Sequence, residues 1–274
     1  MSRALDKIYD FTQYFLRRYL GRICILEGYF KVLTLIRPWT IKGESFELTR
    51  IGSTNDGGYI VPHYFLENFK KLYSFGIGNN NDFEFEMSKN LIVYQFDHTI
   101  DSPPKNGRNL FFKKIGLSGK VKKNFTSIDK VLDSEVNLQE VVLKLDIEGS
   151  EFESLKFSSA WTSVGAIIVE IHGLQKFVLG SSRSKNYAAL DKLLSNFLCL
   201  HAHANNCCGF YEGVNWRLPK VIELTLINKK LINNFVATPR EESFPTKLDT
   251  PNLKGIPDLH LGNLFSDNGI GFSQ

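Results

Sequence analysis

The 274-residue chain has few of the features that mark several large protein classes. It contains four cysteines, including the adjacent Cys207 and Cys208, and no Cys-x-x-Cys pair, so we expect neither a disulfide framework nor a zinc knuckle. No apolar run reaches the roughly 20 residues that a membrane-spanning helix needs. No pattern of a cleavable signal peptide is found either. A cytoplasmic protein is therefore expected.

An excess of one charge is also lacking. The formal net charge is +4, and the basic residues form no stripe interleaved with aromatic residues, so we do not expect nucleic acid as a partner. With 43% hydrophobic and 23% charged residues, the composition is that of an ordinary globular protein. The length suffices for one large domain with appendages.

Residues 1–42 differ from the remainder of the chain, because eight basic residues face three acidic ones there. Apolar residues recur at helical spacing and predict one or two amphipathic helices. They are Leu5, Ile8, Phe11, Phe15, Leu16, Tyr19, Leu20 and Ile23. Such helices would pack on the main domain or join two subunits of a homo-oligomer. Alternatively, they would rest on an anionic membrane surface and make the protein membrane-associated.

Seven short β-rich runs separated by helix-compatible stretches predict an α/β fold with a Rossmann-like, mostly parallel sheet. The runs are Lys71–Phe75, Leu91–Phe96, Leu110–Ile115, Val141–Leu145, Ala166–Ile171, Phe197–Ala202 and Val221–Ile227. The last two are joined by residues 205–215 and predict an antiparallel hairpin at one edge. We assign residues 43–237 to this domain. The proline-containing residues 238–274 are expected to form an extended tail packed on it.

A glycine turn follows the first predicted strand of the sheet. Gly76 and Gly78 let the backbone approach a ligand at the carboxyl end of that strand, although a plain tight turn is an alternative reading. Asp97 ends the next strand, 19 residues beyond Gly78, near the spacing at which an acid binds ribose hydroxyls. Asn81 replaces the third glycine of a dinucleotide motif. The pattern therefore favours S-adenosylmethionine, which has no pyrophosphate, over NAD.

The strand Val141–Leu145 leads into two acidic residues, Asp146 and Glu148, followed by Gly149. Carboxylates at a strand end need water, a cation or hydrogen-bond donors. Glu148 has an alternative role, which is to favour the start of the next helix through the helix dipole. We predict that at least one of the two carboxylates belongs to a functional site.

Histidines follow the next strands. The run Ala166–Ile171 supplies Glu170 and leads to His172. Strand alternation places His201, His203 and Asn205 on one face of a later strand. Acids and histidines that meet at one edge of a sheet predict a catalytic or metal-binding group.

Together these motifs resemble the FkbM-type methyltransferases over roughly residues 46–260. The central motif is Leu-Lys-Leu-Asp-Ile-Glu-Gly-Ser-Glu-Phe-Glu-Ser-Leu at 143–155. The others are Asp-Gly-Gly-Tyr at 56–59, Ser-Phe-Gly-Ile-Gly at 74–78, Phe-Asp-His-Thr at 96–99, Glu-Ile-His at 170–172 and His-Ala-His-Ala-Asn-Asn at 201–206. The resemblance implies a class I methyltransferase fold. It also implies S-adenosylmethionine as methyl donor and a sugar hydroxyl of a nucleotide-sugar, capsule or lipopolysaccharide precursor as acceptor.

The resemblance also implies two sets of binding residues. The cofactor set is Asp56, Gly57, Tyr59, Ser74, Gly76, Gly78, Asp97, His98 and Asp146. The substrate set is His201, His203, Asn205 and Asn206.

A sugar hydroxyl must lose its proton as it attacks the methyl group, so the reaction needs a base. His172, acting with Asp146, is the predicted catalytic residue, because a neutral imidazole accepts a proton near physiological pH. A Mg²⁺ or Mn²⁺ ion would assist as a Lewis acid. Its predicted ligands are Asp146, Glu170, His201 and His203.

Two other functions remain open. A metal-dependent glycosyltransferase would use Asp146-Ile147-Glu148 to hold a cation and a nucleotide sugar, but Asp97 at ribose spacing speaks against it. A non-catalytic scaffold of the same fold would assemble through its N-terminal helices. The array of acids and histidines speaks against that function.

Overall fold

The computed structural model describes residues 29–175, 183–213, 216–240 and 244–261. In the predicted N-terminal helical segment, residues 29–36 are helical. The apolar positions on which that prediction depends lie outside the described residues, as does the tail beyond residue 261. Among the described residues, no helix has the length and apolarity needed to cross a membrane.

The described part of the chain contains many short strands and few helices. In chain order the strands are β1 (Trp39–Ile41), β2 (Leu48–Gly52), β3 (Gly58–Pro62), β4 (Lys71–Phe75), β5 (Ile92–Phe96), β6 (Leu110–Lys113), β7 (Gly116–Leu117), β8 (Phe125–Thr126), β9 (Val141–Leu145), β10 (Ala166–His172), β11 (Phe197–Ala204), β12 (Phe210–Gly213), β13 (Trp216–Pro219), β14 (Val221–Asn228) and β15 (Ala237–Pro239). The α-helices are α1 (residues 29–36), α2 (His63–Asn68), α3 (Asp82–Met87), α4 (Ile128–Leu132), α5 (Glu151–Lys156) and α6 (Arg183–Asn196). Short 3-10 helices span Glu44–Phe46, Leu138–Glu140, Ala160–Ser163 and Lys229–Leu231.

Seven strands form the central sheet in the order β11-β14-β10-β9-β4-β5-β6. The pairs β10/β9, β9/β4, β4/β5 and β5/β6 are parallel, and β14 is antiparallel to both of its neighbours. The predicted α/β fold and its antiparallel edge hairpin are therefore confirmed. One detail differs from a simple terminal hairpin, because β14 inserts beside β10 and leaves β11 at the edge.

Strand β9 shows why these runs form buried strands. All five of its residues are buried, because apolar residues cover both faces of the sheet. Alternation sends Leu143 and Leu145 to one core cluster and Val142 to the other. Because β9 lies at the centre of the sheet, the residues that follow it are held at the middle of the carboxyl edge.

The chain order creates a switch point between β4 and β9. From β4 the chain continues to β5 and β6 on one side, and it later returns to β9 and β10 on the other side. In open α/β sheets, the crevice for ligands lies at the carboxyl ends of the strands at such a point. The glycine turn after β4 and the Asp146 turn after β9 are therefore neighbours.

The segment 244–261 packs near the carboxyl end of β11, at the edge of the sheet. Phe244 is buried in the main core cluster, and the backbone N–H of Leu261 donates to its carbonyl oxygen at 3.1 Å. Beside this segment, Cys207 and Cys208 are joined by a disulfide that the sequence does not predict. Cys199 is a buried free thiol.

Candidate functional site

A cavity of about 650 Å³ opens at the switch point of the sheet. This volume is typical of pockets for small ligands and cofactors. The cavity brings together eight of the predicted cofactor residues, which come from four separate segments. They are Asp56, Gly57, Tyr59, Gly76, Gly78, Asp97, His98 and Asp146.

Asp97 holds the glycine turn in place. Its Oδ2 accepts hydrogen bonds from the backbone N–H groups of Ile77 at 3.1 Å and Gly78 at 2.9 Å. Its Oδ1 accepts from the backbone N–H and the hydroxyl of Thr99 at 2.7 and 2.6 Å. Burial opposes ionisation of Asp97, but these four hydrogen bonds outweigh it and hold its pKa below the usual value. Asp97 therefore remains a carboxylate that shapes the turn.

The two glycines of the turn have different roles. A Cβ on Gly76 would lie 1.6 Å from the carbonyl oxygen of Asp146, so only glycine allows the two turns to approach. Gly76 also has a φ of 77°, in the region that favours glycine. Gly78 has a φ of 51°, and no atom lies within 4 Å of the position that its Cβ would take. Gly78 thus leaves an open cradle in the cavity wall.

Asp146 lies at the floor of the cavity between a phenol and an ammonium group. The buried Tyr59 hydroxyl donates to Asp146 Oδ2 at 3.0 Å. Lys144 Nζ lies 3.8 Å from the same oxygen and 4.9 Å from the centroid of the Tyr59 ring. Burial and the nearby Asp146 charge raise the pKa of Tyr59 well above its usual value, so the phenol stays protonated. The Asp146 carboxylate is therefore held in one orientation.

The ion pair between Lys144 and Glu84 is a part of the site that the sequence reasoning missed. Lys144 Nζ lies 3.4 Å from Glu84 Oε1 and donates to the carbonyl oxygen of Gly76 at 3.0 Å. Burial lowers the pKa of Lys144, but the charges of Glu84 and Asp146 raise it by more. The net shift of the pKa is therefore upward, and the ammonium group stays charged. In the sequence, the signal for this ion pair is a lysine inside an otherwise apolar strand, because a buried lysine needs a partner of opposite charge.

Ser74 does not reach the cavity, contrary to its predicted role in binding the cofactor. Its side chain is fully buried, and its hydroxyl donates to Glu84 Oε1 at 2.6 Å. Ser74 therefore orients Glu84, which itself lines the cavity.

Behind Asp146 lies a second carboxyl group, that of Glu170. Glu170 shares a hydrogen bond with Asp146 and accepts one from Asn205 Nδ2 at 2.7 Å. Burial raises the pKa of Glu170 well above its usual value, and the charges of Asp146 and Glu223 raise it further. Glu170 is thus a protonated acid that donates to the Asp146 carboxylate.

His172 and Glu151 form a histidine–carboxylate pair beside the cavity. His172 Nδ1 lies 3.1 Å from Glu151 Oε1, which also accepts from the backbone N–H of Gly149 at 2.9 Å. His172 Nε2 lies 3.2 Å from Glu148, whose side chain is 85% exposed. Burial lowers the pKa of His172, but Glu151, Glu148 and Asp146 together raise it more. His172 is not among the residues that line the cavity, whereas its neighbour Glu148 is.

The turn that carries Glu148 has an unusual backbone. Glu148 has a φ of 53°, and it is the non-glycine residue with a positive φ in the described part of the chain. Gly149 follows with a φ of 93°. Non-glycine residues in this conformation cluster at functional sites, where surrounding contacts offset the strain.

His201 and His203 do not face the cavity and bind the tail segment 244–261 instead. His201 Nε2 lies 3.2 Å from Asp249 Oδ2, and His203 Nε2 lies 3.0 Å from Asp258. In this structure a tail carboxylate lies against Nε2 of each histidine, and their role in binding substrate stays a prediction. Alternation along β11 does place both on one face, but the tail covers that face.

The two predicted substrate asparagines are also engaged within the protein. Asn205 donates to Glu170, as described above, and Asn206 Nδ2 donates to the carbonyl oxygens of Leu253 at 3.1 Å and Ile256 at 2.9 Å. The backbone N–H of Leu253 donates back to Asn206 Oδ1 at 2.8 Å. Neither side chain lines the cavity.

The predicted metal group does not form. No cluster of three or more histidine, cysteine, aspartate or glutamate side chains suited to a metal ion occurs within the described residues. The four predicted ligands do not point at one position, because Glu170 donates to Asp146 while His201 and His203 bind the tail. These residues do not fit a Mg²⁺ or Mn²⁺ ion.

Comparison with known proteins gives only a distant structural likeness. No protein-family model and no curated protein matches the chain. The solved structures with some similarity include the Methanococcus jannaschii fibrillarin pre-rRNA processing protein, at 10% identity and a TM-score of 0.36, with 60% of this chain and 68% of that chain covered. They also include the 16S rRNA (adenine(1408)-N(1))-methyltransferase from Catenulisporales acidiphilia, at 10% identity and a TM-score of 0.30, with coverage of 66% and 98%. TM-scores this low support no inference about activity.

Proposed function

We propose that the protein is an S-adenosylmethionine-dependent methyltransferase that methylates a sugar hydroxyl of a nucleotide-sugar or polysaccharide precursor. The observation that carries this proposal is the open cradle at Gly78, which leads into an acid-lined cavity at the switch point. S-Adenosylmethionine carries a sulfonium and an ammonium group, and the Asp146 carboxylate in the cavity suits both cations. The FkbM-type motifs point to the same cofactor.

The residues assigned to the cofactor are those of the glycine turn and the cavity floor. The backbone at Gly76–Gly78 would contact its adenosine part, and Asp146 would lie beside its methionine part. When bound, S-adenosylmethionine supplies an electrophilic methyl group to the site. All four hydrogen-bonding positions of Asp97 are already used, so in our proposal Asp97 acts mainly by holding the turn.

His172 is the proposed base for the acceptor hydroxyl. If Nδ1 carries the proton and donates to Glu151, the lone pair on Nε2 faces outward towards Glu148. The exposed Glu148 side chain would move aside, and Nε2 would then take the hydroxyl proton during the attack. Glu151 would stabilise the imidazolium ion that forms, as carboxylates do in other histidine pairs.

Thermal-shift titration tests the cofactor assignment. We expect S-adenosylhomocysteine at about a hundredfold excess over its Kd to raise Tm by about 5–10 °C. NAD and UDP, with or without Mg²⁺, should give no comparable shift. A shift with UDP and Mg²⁺ alone would overturn the proposal in favour of a glycosyltransferase, and no shift with any ligand would favour a scaffold.

Replacing His172 tests the base. His172→Gln should lower the rate of methyl transfer from radiolabelled S-adenosylmethionine to nucleotide sugars by about 10²–10⁴-fold and leave the S-adenosylhomocysteine shift unchanged. Because the pKa of His172 is raised above 6.5, the wild-type rate should climb with pH through a limb above that value. His63→Gln, at the exposed start of α2, is the matched control and should retain wild-type turnover. Wild-type turnover in His172→Gln would rule out the assigned base.

A further inference from the structure

The segment of residues 113–130 carries six lysines and only one acidic residue, Asp129. The Asp129 carboxylate is already engaged, because it accepts hydrogen bonds from the Ser158 hydroxyl and from the backbone N–H groups of Ser159 and Ala160. One carboxylate against six lysines leaves the segment with a formal charge of +5. The segment contains β7 and β8, so its positive charge is fixed to the folded domain.

The most basic part of this segment is a turn attached to the cavity wall. The backbone groups of Lys122 and Phe125 pair in both directions, at 2.9 and 3.2 Å, and Lys123 lies at the exposed tip. Phe125 lines the cavity, and its ring centroid lies 4.7 Å from that of His98, which also lines it. The backbone of the lysine turn is thus joined to a residue that lines the cavity.

Helix α5 contributes to the same region. A Cβ on Gly119 would lie 2.4 Å from the Phe157 ring, so the turn packs closely against the end of the helix. The ammonium groups of Lys120 and Lys156 lie 5.7 and 4.6 Å from the centroid of that ring. Together the four lysines form what we call the basic rim: Lys120, Lys122, Lys123 and Lys156.

The charge of the basic rim contrasts with that of the cavity floor. Glu84, Asp97 and Asp146 line the inner cavity together with Lys144, so three carboxylates outnumber one ammonium group and repel an anion there. The exposed acids nearest the rim in sequence are Glu148 and Glu153. A ligand that spans both regions therefore needs a neutral or cationic part inside and an anionic part outside.

We propose that the basic rim binds a phosphate or diphosphate group of the acceptor and thereby holds the acceptor's sugar over the cavity. This inference rests on the proposed methyltransferase function and specifies its substrate class. Lysine ammonium groups bind phosphate oxygens through charge-assisted hydrogen bonds. The phosphate belongs to either a soluble nucleotide sugar or a lipid headgroup. Val121 at the turn is 52% exposed, which leaves an apolar contact for a lipid.

Pyrophosphate is the probe for this site. Calorimetry would measure its binding to protein saturated with S-adenosylhomocysteine, in low salt. We expect Lys122→Glu/Lys123→Glu to weaken binding by about tenfold or more. The matched control, Lys70→Glu/Lys89→Glu, makes the same charge change at exposed positions near the amino ends of β4 and β5, on the opposite edge of the sheet. The control should bind within about twofold of wild type.

Equal binding by both variants, or no binding of pyrophosphate to the wild type, would overturn the inference. UDP-glucose and phosphatidylglycerol vesicles then distinguish the two sources of phosphate, with glucose as the control without phosphate and zwitterionic phosphatidylcholine vesicles as the control without net charge. Loss of either charged ligand in the rim variant supports the inference and identifies its source. Rim-dependent binding of a single-stranded oligonucleotide without pyrophosphate binding would overturn it in favour of a nucleic-acid surface.

Failure of this inference is distinguishable from failure of the proposed function. In one outcome, S-adenosylhomocysteine shifts Tm equally in the wild type and the rim variant, and neither binds pyrophosphate. That result would leave the methyltransferase assignment standing and would overturn the assignment of the basic rim. Rim-dependent pyrophosphate binding without any S-adenosylhomocysteine shift removes the methyltransferase assignment, and with it the assigned substrate class.

Discussion

At the scale of single residues, the protonation state of Glu170 has the clearest consequences for the geometry of the site. It is 6% exposed and faces Asp146, Glu223 and Asn205 from three neighbouring strand ends. Two ionised carboxylates in contact are costly in a buried setting, so the pair Asp146–Glu170 retains one proton. Donation from protonated Glu170 orients the Asp146 carboxylate towards the cavity, so we assign Glu170 a positioning role.

Glu170→Gln should therefore preserve the site. A glutamine amide donates to Asp146 through its N–H and accepts from Asn205 through its oxygen, as protonated glutamate does. The raised pKa of Glu170 contributes stability that is present below the unfolded-state pKa of about 4.3 and is lost as pH rises through the folded-state pKa. In urea unfolding at about pH 5, the free energy of unfolding of Glu170→Gln should lie within about 1 kcal/mol of the wild-type value. At alkaline pH the variant should be more stable than the wild type.

Glu170→Leu serves as the contrast, because it removes the donor to Asp146 and leaves Asn205 without its acceptor. It should cost about 1–3 kcal/mol and weaken S-adenosylhomocysteine binding. If Glu170→Gln were as damaging as Glu170→Leu, Glu170 would be ionised in the folded protein. The assigned donation to Asp146 would then be wrong.

At the scale of elements, the contact between the turns after β4 and β9 holds the cavity together. Gly76→Ala should destabilise the protein by about 3 kcal/mol, because the added methyl group meets the Asp146 carbonyl oxygen and the residue has a positive φ. Urea unfolding would measure this loss, and S-adenosylhomocysteine affinity should fall with it.

Gly209→Ala separates backbone strain from the clash. Gly209 also has a positive φ, of 72°, but no atom lies within 4 Å of its Cβ position. Its substitution should cost only about 1–2 kcal/mol and leave S-adenosylhomocysteine binding intact. Equal losses in the two variants would mean that the approach of the two turns does not stabilise the fold.

The same elements show what the sequence predicts and what it does not. Strands such as Lys71–Phe75 and Val141–Leu145 are predicted to the residue, because short β-rich runs alternate with helix-compatible stretches. The insertion of β14 between β10 and β11 is not predicted. Strand runs indicate which segments pair locally, whereas the order of strands depends on non-local packing.

The site divides in the same way. Asp97 and Asp146 are predicted because strand ends of a parallel sheet meet at one edge. The pairing of His201 and His203 with Asp249 and Asp258 is not, since about 50 residues separate the partners and the tail has no periodic pattern. The partners of Lys144 are not predicted either, because the hydrophobic pattern of its strand indicates burial but does not indicate which acids pair with the one cation in it.

At the scale of the whole molecule, the tail segment 244–261 connects β11 to the cavity. His201 binds it at Asp249 and His203 binds it at Asp258, and between these contacts Asn252 Nδ2 donates to Glu223 Oε1 at 2.5 Å. In the same stretch, Asn55 Nδ2 donates to the carbonyl oxygen of Pro251 at 2.8 Å. The loop containing Asn55 leads directly into Asp56 and Gly57 of the cavity wall. Release of the tail should therefore loosen the cofactor site.

The pKa values of the tail contacts predict how its attachment depends on pH. Burial lowers the pKa of His203, but Asp258 and Glu223 outweigh it and raise the value from 6.5 to about 10. Burial raises the pKa of Asp249, but the bond from His201 outweighs it and lowers the value from 3.8 to about 2. The His203 contribution is complete below 6.5 and is lost as pH rises through about 10. The Asp249 contribution is complete above 3.8 and is lost as pH falls through about 2.

The tail should therefore be held most firmly between about pH 4 and about pH 6.5. Urea unfolding of the wild type at about pH 6 and about pH 9 should show a loss of stability in alkali, together with faster proteolysis within 244–261 and weaker S-adenosylhomocysteine binding. His203→Gln should be less stable than wild type at the lower pH and should show a smaller loss between the two pH values. His63→Gln, at the exposed start of α2, should keep the wild-type dependence. An unchanged alkaline loss in His203→Gln would show that another group governs the attachment of the tail.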